Sequence, residues 1–324
     1  MSDEQGGHQP GFAGTDPLMQ SVPPGQSLGT GWQVPGAFGT AGRGPKLLGG
    51  GGGRRATAIS TISTVLVLAG LVAIFLLAPG SAQVRHTFFN PQDMWQSFIG
   101  NPRKGYYSIG IAIWLNIRMF LAAEVLILAL ALVIALIRQS ISPVLFPLRV
   151  LAMIYVDFFR GVPLLLVIYA IGFGIPALRL PFVSYQSMAV YGVAALTLSY
   201  SAYVSEVYRA GLNSVPRSQV AAGRSLGLSQ GTAMRYVILP QAVRNVIPPL
   251  LNDFISLQKD TALVGVLGAI EANNAAQIYA STTFNYSSFT VAAILFLILT
   301  IPLARFTDRL IDRDRRRRLA GVGR

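Results

Sequence analysis

Gln219-Val-Ala-Ala-Gly-Arg-Ser-Leu-Gly-Leu-Ser-Gln-Gly-Thr-Ala-Met-Arg-Tyr-Val-Ile-Leu-Pro240 is a polar stretch set between hydrophobic runs. It is not lipid-compatible, so it predicts a substantial loop in water. Gln219–Leu226 reads as a short helix, ended by Gly227, since a helix terminus often needs a left-handed residue there. Ser229 is placed to cap a second short helix running to about Leu239, and Pro240 is read as its stop. Ala221, Ala222 and Gly223 are small enough for a partner's surface to approach the backbone. Leu226, Leu228, Val237 and Leu239 are left to hold the turn together or to seat it on the rest of the chain. A short helix in a partner's groove is a recurring recognition mode. The alternative is an amphipathic loop resting on lipid head groups.

Working outward, the flanking chain is apolar. Hydrophobic residues make up 52% of the 324 and charged residues 12%, against about 25% charged in soluble proteins. Long stretches carry almost no charge, which predicts an all-α polytopic membrane protein. Six spans are read: about Thr57–Pro79, Ile109–Ile137, Val150–Ile175, Ser187–Val204, Val246–Ile270 and Phe289–Leu303. Residues 1–55, rich in Gly, Pro, Gln and Ser, are read as a disordered tail, and 80–108 as an external loop with a core at 81–104. The polar segment 205–244 and the basic tail 311–324 complete the order.

The net charge of +13 does not signal nucleic acid. Arginines cluster at 138–149, 205–244 and 304–324, and few basic residues occupy the alternate loops, as the positive-inside rule expects. Span parity and charge agree on cytoplasmic N- and C-termini, with the basic tail against anionic membrane lipid. The absence of cysteine excludes disulfides and thiolate chemistry. Two histidines, His8 and His86, are too few for a histidine metal cluster, and no Gly-Lys dipeptide offers a Walker-type phosphate loop. Any ATP used must therefore be hydrolysed on another chain.

Polar residues inside the spans are the candidates for function. Arg160, Gly161 and Pro163 sit in the third span, where Pro163 removes a backbone hydrogen bond and predicts a kink. That kink is read either as simple packing or as a gating hinge. Glu206 and Arg209 are three residues apart and predict a local ion pair, while Pro248-Pro249 is read as a break at the start of the fifth span. Glu124, near the middle of the second span, is costly there and a candidate for the solute path. A protonated acid, or one paired with a neighbouring helix, is the other reading. Asn252, Asp253, Lys259 and Asp260 are candidates on the fifth span, either lining a path or bracing its inner end.

The loop resembles the cytoplasmic signature loop of ABC importer permeases. Their pattern is Glu-Ala-Ala, three residues, Gly, nine residues, Ile, any residue, Leu-Pro. Here it reads Ala221-Ala222-Gly223, three residues, Gly227, nine residues, Val237-Ile238-Leu239-Pro240. Ala221 replaces the usual glutamate, Gly223 an alanine and Val237 an isoleucine. Phe158-Phe-Arg-Gly-Val-Pro-Leu-Leu165, Ser205-Glu-Val-Tyr-Arg-Ala-Gly211, Leu239-Pro-Gln-Ala-Val-Arg244 and Asn252-Asp-Phe-Ile-Ser-Leu-Gln-Lys-Asp-Thr261 resemble the polar amino-acid branch.

The resemblance covers about residues 105–310. It implies that the last five helices form the permease core and that the first, at 56–80, is an addition. It also implies a bacterial inner-membrane location and a second permease copy or paralogue. The same resemblance implies that an extracytoplasmic substrate-binding protein delivers solute and that partner ATPases carrying ATP and Mg receive Gln219, Ala221, Ala222, Gly223, Arg224, Gly227, Val237, Leu239 and Pro240. No cofactor or metal is expected on this chain. A secondary transporter or channel is the alternative, and would lose uptake with the ion gradient alone. An intramembrane enzyme lacks any nucleophile–base constellation here.

Overall fold

The computed structural model describes residues 54–322. Most of the expected disordered tail therefore lies outside the described residues, and Arg54 and Arg55 open the first helix. The chain divides into two units, residues 1–72 and 73–324. What is described of the first is the bulk of helix α1 (Arg54–Leu77). Its Thr57–Leu77 stretch is long and apolar enough to cross a membrane.

The second unit begins with α2 (Ser81–Phe88) and α3 (Pro91–Ile99). The segment read as an external loop is thus mostly helical. Asn90 explains the start of α3, because its side chain accepts from the Gln92 N–H while Pro91 fills the first helical position. Ser108 Oγ accepts from the Ile111 N–H at 3.1 Å and donates to the Phe98 carbonyl at 2.6 Å. It caps α4 (Ile109–Gln139) and ties it to α3.

The third expected span is broken. It consists of α5 (Phe146–Gly161) and α6 (Leu164–Ala177), bent by 109° about Val162 and Pro163. Val162 is extended (φ −94°, ψ 130°), as the residue before a proline prefers. The break follows from Arg160-Gly161-Val162-Pro163 as the sequence predicted, though it is far larger than a kink.

Then follow α7 (Met188–Asn213), α8 (Arg217–Ser225) and α9 (Gln230–Ala233). A π-turn over Met234–Ile238 leads into α10 (Leu239–Asp260). Pro240 therefore does not stop a helix. It lies in the first turn of a new one, where its missing N–H costs nothing. Nor do Pro248 and Pro249 break the fifth span, since both lie inside α10. Membrane helices tolerate such prolines where neighbours re-satisfy the freed carbonyls. The regular helix ends at Asp260 and a 3₁₀ segment, Thr261–Leu267, replaces the expected continuation to Ile270. Last come α11 (Ala272–Thr283) and α12 (Ser287–Val322), which absorbs the expected sixth span and most of the basic tail into one helix.

Among the described residues four helices are long and apolar enough to cross a membrane: α1, α4, α7 and Ser287–Arg313 of α12. The bent pair α5–α6 makes a fifth. α10 has the length for a crossing, but its polar residues need protein or water around them. α7 is the centre of the second unit. Its buried Tyr191, Ala195, Leu196 and Val204 join Ala123 and Ile127 of α4, Ile168 of α6 and Leu257 of α10 in one core.

The approach of α7 to α10 depends on Gly211. A Cβ there would lie 2.0 Å from Val246 Cγ2 and 3.2 Å from the Ala242 carbonyl oxygen. Alanine is worth about 1 kcal/mol over glycine in a helix, but forced overpacking costs about 1–3 kcal/mol. Packing should win because a backbone oxygen also blocks relief. We expect Gly211→Ala to lower the melting temperature of the purified protein, and Val246→Ala in the same chain to recover part of the loss. A melting temperature unchanged or raised by Gly211→Ala would remove this account of the contact.

Candidate functional site

Two features converge on α10, one at each end. The first is the loop between α7 and α10. Gly227 has φ +82°, a left-handed conformation that glycine adopts without penalty. Its N–H reaches the Arg224 carbonyl at 2.9 Å, and the Leu228 N–H reaches the Gly223 carbonyl at 3.2 Å. These bonds satisfy the open carbonyls at the end of α8. Ser229 then caps α9, accepting from the Thr232 N–H at 3.2 Å.

Gly223 is buried and faces this turn. A Cβ there would meet Leu228 Cδ1 at 3.4 Å and Val237 Cγ2 at 3.8 Å, ordinary contact, so an alanine would fit the same packing. Ala221, Ala222 and Arg224 are exposed. Leu226 was read as holding the turn together or seating it on the bundle, but it is 84% exposed and projects from the turn. Leu228 and Val237 hold the turn from within, and Leu239 is 46% exposed. Gln241 Nε2 donates to Gln219 Oε1 at 2.7 Å and to the Val237 carbonyl at 2.9 Å. The first turn of α8 is thereby fastened to the first turn of α10. The loop is a folded two-helix device with an exposed apolar tip.

The second feature is a cavity of about 290 Å³ between the α5–α6 break, α7 and α10. Its polar lining is Ser199, Tyr200, Tyr203, Asp253, Ser256 and Asp260, with Phe159, Val162 and Leu164 supplied by the break. Tyr200 Oη donates to Asp260 Oδ2 at 2.6 Å. Ser199 Oγ is buried and has no hydrogen-bond partner among the described residues. Tyr203 Oη donates to the Arg160 carbonyl at 3.2 Å, and the Arg160 guanidinium lies 5.9 Å from the Tyr203 ring centroid. The end of α5 is thus tied to α7 beside the cavity.

The sequence candidates are therefore divided. Asp253 and Asp260 line this cavity, whereas Asn252 and Lys259 are exposed on the same helix. Glu124 lines a different cavity of about 320 Å³ with residues of α4, α10 and α12, including Leu128, Phe254 and Thr307. Tyr200, Ser199, Tyr203 and Ser256 were not singled out from the sequence. A polar face on an apolar helix was their signal, and the run Ser199–Ser205 carries it.

Two further polar groups lie at opposite ends of the bundle. At the loop end, Glu206 accepts from Arg209 at 2.8 Å, the pair expected from spacing. It also accepts from Arg138 of α4, and Arg160 Nη1 lies 4.0 Å away. At the far end Glu271 is fully buried and caps α11, accepting from the Asn273 and Asn274 N–H groups at 2.8 and 2.7 Å. Asn116 Nδ2 adds a bond to Glu271 at 3.0 Å and another to Thr261 Oγ1 at 3.1 Å. Burial holds the Glu271 carboxyl above its ordinary range, and these hydrogen bonds offset only part of that rise. Among the described residues no cluster of three His, Cys, Asp or Glu has the arrangement to hold a metal.

Residues 143–317 match the family described as binding-protein-dependent transport system inner membrane component. One relative is the "Probable amino-acid permease protein YxeN" of Bacillus subtilis (strain 168), 38% identical over 197 residues, which span 60% of this chain and 86% of the relative. Another is the "Probable glutamine ABC transporter permease protein GlnM" of the same organism, 38% identical over 159 residues, 49% of this chain and 72% of the relative. Of solved structures, the crystal structure of an amino acid ABC transporter with histidines superposes with TM-score 0.58 at 30% identity, over 63% of this chain and 93% of that one. An inward-facing MetNI methionine ABC transporter gives TM-score 0.54 at 17% identity over 66% of this chain and 99% of that one, a likeness of fold alone.

Proposed function

Since the chain belongs to the family of binding-protein-dependent transport system inner membrane components, we propose that it forms part of the membrane path of an ATP-driven importer for polar amino acids. It is a multi-pass permease subunit. Its loop end faces the cytoplasm, where ATPase subunits carrying ATP and Mg grip α8 and the exposed Leu226. The opposite end receives solute from an extracytoplasmic binding protein. A second permease, identical or paralogous, completes the path. The observation that carries this reading is the continuity between loop and cavity. The same helix, α10, begins against the loop and ends with Asp253 and Asp260 on the cavity wall. At 1.5 Å per residue its 22 residues span about 33 Å. Movement of the loop by the ATPases is passed along α10 to the acidic wall.

The cavity suits the zwitterion of an amino acid. The two carboxylates receive an ammonium group, and the tyrosine and serine hydroxyls receive polar side-chain atoms. Leu164 brings the first turn of α6 to the same cavity. The N–H groups of such a half-helix end favour a carboxylate. The names of the relatives, amino-acid and glutamine permeases, support the same class of solute.

The test is uptake by vesicles holding the permease, its ATPase and its binding protein. Uptake should stop with vanadate and persist when the ion gradient is collapsed. The opposite pattern would favour a secondary transporter. Asp253→Asn should cut uptake about tenfold, the loss of one charge-assisted contact of ~1.4 kcal/mol. Its basal ATP hydrolysis should persist. Glu124→Gln, in the other cavity, should cost less. If Asp253→Asn imports at the wild-type rate, the cavity is not the path.

A further inference from the structure

At the loop end of the bundle a second polar cavity, of about 270 Å³, is lined by Arg138, Phe146, Arg149, Met153 and Arg209. It joins the last turn of α4, the first turns of α5 and the inner end of α7. Three of its five lining residues are arginines and none is an acid. Among the described residues, the carboxylate that makes salt bridges with these arginines is Glu206. It is bonded to Arg138 and Arg209 and lies 4.0 Å from Arg160. Three guanidinium groups share that carboxylate, and Arg149 brings a fourth to the same cavity.

Arg149 is the unanswered member. It makes no salt bridge among the described residues, and its buried Nε has no hydrogen-bond partner. Among the described residues its ring contact is with Phe146, 5.6 Å from the guanidinium. A buried guanidinium N–H without an acceptor is costly, and this cost points to an acceptor supplied from outside the chain. Arginine forks match the oxygens of phosphate, and three converging on one cavity match a phosphate better than a lone carboxylate.

The surroundings decide where that phosphate comes from. Between Arg138 and Met153 the exposed side chains other than Gln139 are apolar: Ile141, Val144, Phe146, Leu148 and Met153 are 85%, 84%, 58%, 46% and 43% exposed. A free anion, or an acidic side chain of a water-soluble partner, has no use for such a rim. A phospholipid does, with its head group on the arginines and its acyl chains along the apolar face. We propose that this cavity binds the phosphate of an anionic phospholipid from the leaflet on the loop side. Because Arg138 and Arg209 line the cavity while bonded to Glu206, the lipid enters the same charge cluster that joins α4 to α7.

The experiment uses the assembled permease–ATPase complex in bilayers of phosphatidylcholine with or without phosphatidylglycerol. Lipid carried through purification is read by native mass spectrometry. Wild type should retain phosphatidylglycerol over phosphatidylcholine. Arg149→Gln should retain it about fivefold less, the factor one basic residue is worth at a membrane surface. Arg149→Lys, which keeps the charge, should retain most of it. Equal retention by wild type and Arg149→Gln overturns the proposal, as does absence of any phosphatidylglycerol preference in the wild type. Displacement of the retained phosphatidylglycerol by inorganic phosphate would assign the cavity to a free anion instead. Loss of the ATPase from Arg149→Gln with lipid retention unchanged would assign it to a protein partner.

Discussion

Gly227→Pro abolishes solute-stimulated ATP hydrolysis in the assembled importer while the permease still inserts in the membrane: this is the expected result at the turn between α8 and α9, if the proposed docking of ATPases on this loop holds. Gly227 sits at φ +82°, and proline is locked near −65°. Proline also lacks the N–H that closes the turn on the Arg224 carbonyl. The two losses act on a turn that holds α8 against Val237 and presents Leu226 outward. A Cβ at this position meets nothing within 4 Å, so the effect is one of backbone and not of crowding. Gly227→Ala therefore isolates the dihedral cost, about 1–2 kcal/mol for a left-handed residue, and should weaken stimulation without ending it. Vesicle ATPase assays with binding protein and solute give the readout. Normal stimulation in the proline variant would refute docking through this turn. Insertion should be unaffected because the apolar spans lie elsewhere in the chain.

Glu206→Ala should have the largest effect on stability. The carboxylate answers Arg138, Arg209 and Arg160 at once, and the Arg138 side chain is only 12% exposed. Removing one member of a buried pair costs about 3–5 kcal/mol. Arg160 and Arg209 are 46% and 40% exposed, so water screens part of the resulting repulsion. We expect about 2–3 kcal/mol after that discount, read as a fall of several degrees in the melting temperature. Glu206→Gln keeps an acceptor but not the charge, and should fall between. Adding Arg138→Ala to Glu206→Ala should recover part of the loss, because the stranded charge goes with it. Strictly additive losses would mean that Arg138 and Glu206 act independently.

The chain's long unbroken apolar runs made the helical class legible, because only helices and closed barrels satisfy the backbone in hydrocarbon and barrel strands are short and alternate polar with apolar residues. The loop was legible for a similar reason: Gly227 and Ser229 have backbone consequences that depend on near neighbours alone. The three prolines of α10 misled, because a proline's effect depends on what surrounds the carbonyls it frees. Pro240 opens the helix, and Pro248 and Pro249 ride within it. Spacing found Arg209 beside Glu206 but could not find Arg138, 68 residues away. The acids of the spans looked alike in sequence, yet Asp253 and Glu124 line different cavities. Asn116 carried the same signal as Glu124, a polar residue in an apolar run. Its role as a buried clasp on Glu271 and Thr261 appears only once α4 meets α11.

The π-turn at Met234–Ile238 adds a constraint of phase. Each residue of a regular helix advances the azimuth by about 100°, and a π-turn, with more residues to the turn, reduces that step. The azimuth at which α9 leaves the loop thus sets the azimuth at which Asp253 points, with Met234–Ile238 as the phase shifter between them. A single residue gained or lost there would leave both ends chemically intact and rotate one against the other. The loop tolerates changes of letter more readily than changes of count.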